Sequence, residues 1–178
     1  MRALGAAGEY GAVWAAVGAG GAAIDERRRR RWAIAGAVGP AAVGINFIVK
    51  VAVGRERPLI EEHPPLAPAP TKLSFPSAHA TSSVAAATAL GRVEPRARGP
   101  LATLAALICV GRPYLGMHYP SDVLGGVALG LVLGGLLPGL GPQPAEERLI
   151  DLAIDANRPA EGDGAADRAA VEHESRPA

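Results

Sequence analysis

Three short polar blocks interrupt an otherwise apolar chain: Lys50 with Arg57 and Pro58, then Pro76-Ser77-Ala78-His79, then Gly111-Arg112 with His118 and Asp122. Two histidines, three cations and a carboxylate are a costly inventory beside hydrophobic segments unless they converge on one charged ligand. A phosphate-like anion would offset that cost, and each block supplies something it needs. Lys50 and Arg57 are seven residues apart, so both project from one face if the helix carrying Lys50 runs on to Pro58. Pro76 suits the first turn of a helix, where its missing N–H costs nothing. Ser77, Ala78 and His79 then offer backbone amides and a hydroxyl at the positive end of the helix dipole. Arg112 falls at the exit of one apolar segment and His118 just before the next, whose start is marked by Tyr119-Pro120, with Asp122 in its first turn. A carboxylate near an imidazole fixes its tautomer and leaves the other ring nitrogen to act as nucleophile or base. Taken singly, each block has a plainer reading: snorkelling cations, a helix cap, an acidic residue answering its own helix dipole. Their conjunction favours the chemical one.

The elements that must position these groups read as membrane helices. Of 178 residues, 49% are hydrophobic but only 4% aromatic, and 23 are glycine. That balance favours closely packed helices in lipid over a Leu/Phe-rich soluble core. The ladder Gly126, Gly130, Gly134 is one surface for such packing, against this chain or another. Five spans are expected: 3–24, 32–54, 76–93, 100–112 and 120–140, the first interrupted by Glu9 and the fourth short. A cleaved signal peptide is the rival reading of the first, but Arg2 alone is a thin basic region and no clear cleavage signature follows.

Arg27 to Arg31 lie between the first two spans, and Arg92, Arg96 and Arg98 between the third and fourth, which predicts that these loops face the cytoplasm. The loops 55–75 and 113–119, and with them all three polar blocks, then fall on the extracytoplasmic face. The stretch from Pro58 to Pro76 holds Pro64, Pro65, Pro68 and Pro70, and reads as an extended rim or lid.

Charge divides the chain the same way. Residues 1–141 carry 14 basic and 8 acidic groups, and 142–178 carry 4 and 9, so a net charge of +1 conceals a basic part and an acidic one. Accordingly 1–141 reads as the transmembrane domain and 142–178 as a polar cytoplasmic tail, with a short amphipathic helix at 146–152 and disorder from 157. Cys109 has no partner for a disulfide or a CxxC motif, and reads as a packing residue. Only two of the 18 basic residues are lysines, the codon signature of a GC-rich genome.

In order and internal spacing, the three blocks resemble the type-2 phosphatidic acid phosphatase (PAP2) family of lipid phosphatases and vanadium haloperoxidases. The family pattern is K-x6-R-P, P-S-G-H and S-R-x5-H-x3-D, and the resemblance covers residues 46–135. It implies an all-α, polytopic membrane helix bundle that hydrolyses a phosphomonoester or diphosphate of a lipid. It further implies that His118 is the nucleophile and forms a phosphohistidine, that Asp122 orients it, and that His79 protonates the leaving oxygen and later activates water. Lys50, Arg57, Arg112, Ser77 and the amide of Ala78 would hold the phosphoryl oxygens. Such chemistry needs an in-line nucleophile, an acid opposite it and cations on the equatorial oxygens. Three fixed cations can do the work of a metal, so no cofactor is expected.

Two positions depart from the pattern: Ala78 replaces a glycine, which matters only if that position needs φ > 0, and Gly111 replaces a serine hydroxyl. Five spans are also one fewer than the six often found in membrane members. The expected partners are a lipid phosphate and the bilayer, with no nucleic acid. Candidate substrates are isoprenoid diphosphates, phosphatidic acid or phosphatidylglycerophosphate, and polyprenyl-linked sugar phosphates. A haloperoxidase shares the anion pocket but is disfavoured by five spans without an added soluble domain. A non-catalytic assembly protein that binds anionic lipid is the alternative from another class.

Overall fold

Five α-helices follow one another in the computed structural model, which describes residues 11–58 and 71–136. They are α1 (Ala12–Ile24), α2 (Arg29–Val53), α3 (Ala78–Val93), α4 (Arg98–Tyr114) and α5 (Pro120–Gly135), with a 3-10 turn at Pro95–Ala97. No strand is found among the described residues, apart from one isolated antiparallel bridge between Glu56 and Leu73. These helices stand where the five spans were expected, with shifted ends. α2 takes in Arg29 to Arg31, α4 runs on through Pro113 to Tyr114, and α3 begins two residues after Pro76. Residues 3–10 of the first expected span, 59–70 of the Pro-rich loop, and the amphipathic and disordered segments of the tail lie outside the described residues.

α3 is the central helix, packed by α2, α4 and α5, and eleven of its sixteen residues are buried. Its residues are mostly Ala, Ser and Thr, so neighbouring backbones come close. Against α5 this closeness depends on the glycine ladder. A Cβ on Gly126 would sit 2.7 Å from the Ser77 carbonyl oxygen and one on Gly130 2.7 Å from that of Thr81, while one on Gly134 would strike the Ala85 carbonyl. Such approaches leave no room for any side chain, so the ladder is an intramolecular seam. α1 packs on α2, with Trp14 fully buried and its indole N–H donating to Ser83 Oγ at 3.2 Å. Small side chains from α2, α3 and α4, joined by Leu90, Val93, Leu101 and Ile108, complete the core.

The outer faces are apolar. Ile48 on α2, Val110 on α4 and Leu124 and Leu131 on α5 are all more than half exposed. α2, with 25 residues, is long and apolar enough to cross a bilayer, and α1 and α5 are shorter apolar helices.

The bundle has two chemically different ends. At one, Arg28 donates to Asp25, to the Val93 carbonyl (2.8 Å) and to Glu94 (3.1 Å), tying the α1–α2 turn to the end of α3. Trp32 Nε1 adds a bond to Asp25 at 3.3 Å. The other end gathers the three polar blocks.

Candidate active site

Four helix termini meet at the second end. Lys50 lies in the last turn of α2 and Arg112 in the last turn of α4, where the negative end of a helix dipole favours cations. Ser77 caps α3 and Asp122 sits in the first turn of α5, where the positive ends favour anions. Lys50, Arg112, His118 and Asp122 are all at most 5% exposed. Burial on this scale in an apolar bundle demands strong polar partners.

Lys50 meets that demand with three carbonyls: its Nζ donates to Pro76 O at 2.9 Å, Ser74 O at 3.1 Å and Leu73 O at 3.3 Å. An ammonium has three protons, so all are used, and Lys50 holds in place the segment that leads into α3. One turn earlier on the same face, fully buried Asn46 donates to Thr81 Oγ1 at 2.9 Å and to Pro76 O at 3.3 Å. Asn46 was not among the sequence candidates, although its i−4 relation to Lys50 places it on the same helix face.

Arg57 does not share a helix with Lys50, contrary to expectation. Gly54 adopts φ 67° as a left-handed C-cap and ends α2 at Val53, after which the chain runs extended and pairs with Leu73 through Glu56. Arg57 reaches the site from this extended segment. Its Nε donates to Thr71 O at 2.9 Å, and its Nη1 donates to Met117 O at 2.7 Å and lies 3.2 Å from His118 Nε2. In an extended segment residues two apart share a face, which brings in Arg55 as well. Arg55 Nη1 donates to Asp122 Oδ1 at 3.0 Å and to Ser121 Oγ at 2.9 Å, and the guanidinium lies 5.7 Å from the Phe75 ring centre and 5.4 Å from that of Tyr119. The helical reading of 50–57 hid this residue, which period-two spacing would have revealed.

Two expectations about the second block are also corrected. Pro76 precedes the cap rather than opening the helix, because Ser77 is extended (φ −68°, ψ 115°) and α3 starts at Ala78. The Ser77 amide is not offered to a ligand: it donates to Asp122 O at 2.9 Å and ties α3 to α5. Instead the Ser77 hydroxyl is buried without a hydrogen-bond partner among the described residues. Ala78 is helical, so its departure from glycine needs no positive φ. His79, half-buried in the first turn of α3, is close enough for its charge to act on His118.

Between Arg112 and α5, Leu115 to Tyr119 form a tight turn that presents His118. A guanidinium can only donate, so the 3.2 Å contact from Arg57 is a hydrogen bond when His118 Nε2 is bare and the ring proton sits on Nδ1. That nitrogen faces Asp122 Oδ2 at 3.6 Å, too far for a hydrogen bond, and is itself buried without a partner. Asp122 is occupied elsewhere: Oδ2 accepts from the Tyr119 amide at 2.9 Å and Oδ1 from Arg55. Burial, with the charges of Arg57 and Lys50, pushes His118 down to about 3, against the pull of Asp122. It is therefore neutral at pH 7, with an unprotonated nitrogen directed at a cluster of cations. Burial also lowers Arg57, joined by the charge of Arg112 and opposed by Asp122.

The structure thus brings together Lys50, Arg57, Ser77, Ala78, His79, Arg112, His118 and Asp122, and adds Arg55 and Asn46. An excess of cations beside two helix N-termini can hold a tetrahedral oxyanion, with an imidazole next to it.

Comparison with known proteins gives the chain a family. The model of the PAP2 superfamily matches residues 13–142. Decaprenylphosphoryl-5-phosphoribose phosphatase of Mycobacterium tuberculosis is 43% identical over 144 residues, covering 79% of this chain and 78% of that protein. Undecaprenyl-diphosphatase BcrC of Bacillus subtilis is 30% identical over 114 residues, covering 63% and 58%. Among solved structures, the transmembrane PAP2 type phosphatidylglycerolphosphate phosphatase of Bacillus subtilis superposes with a TM-score of 0.59 and 25% identity, over 83% of this chain and 77% of that one. The chain belongs to the PAP2 superfamily and is a phosphoric ester hydrolase acting on lipid phosphates.

Proposed function

We propose that this phosphatase removes phosphate from a polyprenyl-linked sugar phosphate through a covalent phosphohistidine, without a metal ion. The observation that carries the mechanism is His118 Nε2 placed 3.2 Å from Arg57 inside the cationic cluster, on an imidazole that burial keeps neutral. Substrate phosphate draws the Arg57 N–H away from Nε2 onto a phosphoryl oxygen and frees the lone pair. Nε2 then attacks phosphorus, the ester P–O bond breaks, and the leaving oxygen takes a proton from His79. In the second half, His79 takes a proton from water, the water oxygen attacks phosphorus, and the P–N bond breaks. The developing positive charge on His118 draws Nδ1–H towards Asp122, closing their 3.6 Å gap.

Arg57, Arg112, the Ser77 hydroxyl and the Ala78 amide hold the phosphoryl oxygens. Lys50 exchanges its longest bond, to Leu73 O, for one to phosphate. Arg55, bonded to Asp122 Oδ1, holds that carboxylate in its orientation. A polyprenyl-linked substrate is supported by the mycobacterial relative, whose identity extends over most of both chains.

The polar site and the apolar outer faces fit a multi-pass protein of the bacterial plasma membrane, with residues 1–141 as the embedded phosphatase domain and 142–178 as a cytoplasmic tail. The arginines at 27–31 and 92–98, in and around the turns at the end opposite the site, support an outward-facing site. In a Cys109→Ala background, a cysteine at Leu66 should react with an impermeant thiol reagent on intact cells; labelling only after lysis overturns the orientation.

The decisive assay is phosphate release by purified protein across prenyl, sugar-linked prenyl and glycerolipid phosphates, with a chelator present. The proposal predicts metal-free turnover, fastest on the sugar-linked prenyl phosphate and lost in His118→Ala. A faster rate on glycerolipid phosphate would reassign the substrate, and turnover abolished by the chelator would remove the metal-free mechanism.

A further inference from the structure

Away from the site, α4 and α5 both pack on α3 but scarcely touch each other, leaving a groove of about 630 Å³ between them. Small and apolar side chains line it, including Val84, Ala106, Val110 and Val127. The charged exceptions are Arg92, in the last turn of α3, and Arg98, in the first turn of α4. On α4 the lining runs from Arg98 to Val110, about 18 Å at the helical rise. That is close to one leaflet of a bilayer, about 15 Å of hydrocarbon.

Arg92 Nη1 donates to Gly135 O at 2.8 Å and to Gly134 O at 3.4 Å, and Arg98 Nε donates to Gly91 O at 2.8 Å. Neither guanidinium has a carboxylate partner among the described residues. Arg28, at the same end of the bundle, has two, Asp25 and Glu94. Two cations with no carboxylate partner among the described residues, at the end of an apolar groove one leaflet deep, complement an amphiphile with an anionic head and a hydrocarbon chain. Basic pockets between membrane helices suit such head groups.

We propose that this groove binds an anionic phospholipid from the leaflet opposite the active site, its head group on Arg92 and Arg98 and one chain between α4 and α5. The proposal rests on the membrane reading above and not on the choice of substrate. The competing occupant is the tail of the substrate, descending from the site past Val110, which lies two residues before Arg112. A lipid seated here would brace α4 against α5, which scarcely touch each other, so its binding should register as stability.

The test uses the full chain in a neutral detergent. Its melting temperature is followed on adding phosphatidylglycerol, phosphatidylcholine or water-soluble glycerol phosphate. The expected result is a gain of several degrees with phosphatidylglycerol alone. That gain should be lost in the Arg92→Gln/Arg98→Gln double variant, which retains phosphate release, and in Ala106→Trp, which fills the groove from the exposed face of α4. If the arginine pair cannot be purified folded, Ala106→Trp decides alone. An equal gain with phosphatidylcholine, a gain with glycerol phosphate, or a gain that survives these substitutions overturns the proposal. So does an Ala106→Trp protein that keeps the gain but shows a raised KM for long-chain over short-chain substrates, which would give the groove to the substrate tail. Phosphate release by the wild type is read in a separate assay, so failure here leaves the catalytic proposal standing.

Discussion

At the end of the bundle that carries Asp25, Arg28 and Glu94, the central guanidinium is met by two carboxylates and a carbonyl. At the end that carries His118, four cations (Lys50, Arg55, Arg57 and Arg112) lie around Asp122, the one buried carboxylate there among the described residues; Arg55 pairs with it, while Lys50 and Arg57 donate to backbone carbonyls. A matched cluster fixes a turn against a helix and asks nothing more of its surroundings. A cluster with more cations than carboxylates among the described residues, three of its four cations largely buried, costs stability, which the fold sustains because a bound oxyanion repays it. The difference separates arginines that only tie elements together from a cluster arranged around a ligand site.

The contrast is most sharply broken by removing groups from the site end. His79→Ala should lower kcat by about 10²–10⁴-fold with KM little changed, the usual range for a lost general acid. Aryl phosphates, whose leaving groups need no proton, should recover much of the first step, seen as a fast burst of phenol ahead of slow turnover; a burst slowed as much as the turnover of lipid substrate would deny His79 its role as acid. Next in size is Arg55→Ala, expected to reduce kcat about tenfold at constant KM, because Arg55 acts through Asp122 rather than on phosphate. Arg55→Lys should restore part of the rate. A raised KM with unchanged kcat would move Arg55 to the substrate side.

Acid should distinguish the two ends. His118 is depressed to about 3 in the fold, so between its ordinary 6.5 and 3 the unfolded chain binds the extra proton, and stability falls as pH drops through that window. Asp25 and Glu94 are held below their ordinary 3.8 and 4.5. For Asp25, hydrogen bonds from Arg28 outweigh the upward push of burial; for Glu94, the Arg96 amide and Arg28 do so. Their stabilising contribution persists until pH falls below those values. Melting temperature should therefore decline from pH 6.5 to 5 in the wild type and stay flatter in His118→Gln. Equal slopes would contradict the depressed histidine. The smallest effect belongs to Arg28→Ala, which should lower the melting temperature by a few degrees and leave kcat within about twofold. A large loss of activity would couple the two ends and undo the contrast.

Much of the site was legible because its residues sit at the edges of apolar segments, where spacing alone places them at one end of a bundle. The five helices were legible for the same reason. What escaped notice depended on breaks and tertiary contacts. Gly54 stops α2 before Arg57, so a seven-residue helical spacing became an extended segment, and Arg55 gained a role beside Arg57. The Ser77 amide looked available from its own helix but is taken by Asp122 O, a partner 45 residues away in sequence. The ladder at Gly126, Gly130 and Gly134 announced close packing without naming the partner, which proved to be α3. The arginine run at 27–31 read as a topology signal, and nothing local marked Arg28 as the residue that ties α2 to α3.

The central claim, that His118 is the covalent nucleophile, is tested most directly by quenching turnover of an aryl phosphate by the His79→Ala protein with denaturant at alkaline pH and mapping the phosphate by mass spectrometry. The account predicts an acid-labile, base-stable phosphoramidate on His118, absent from the His79→Ala/His118→Ala protein. Phosphate on another residue, or wild-type turnover persisting in His118→Ala with no phosphoenzyme, would contradict it.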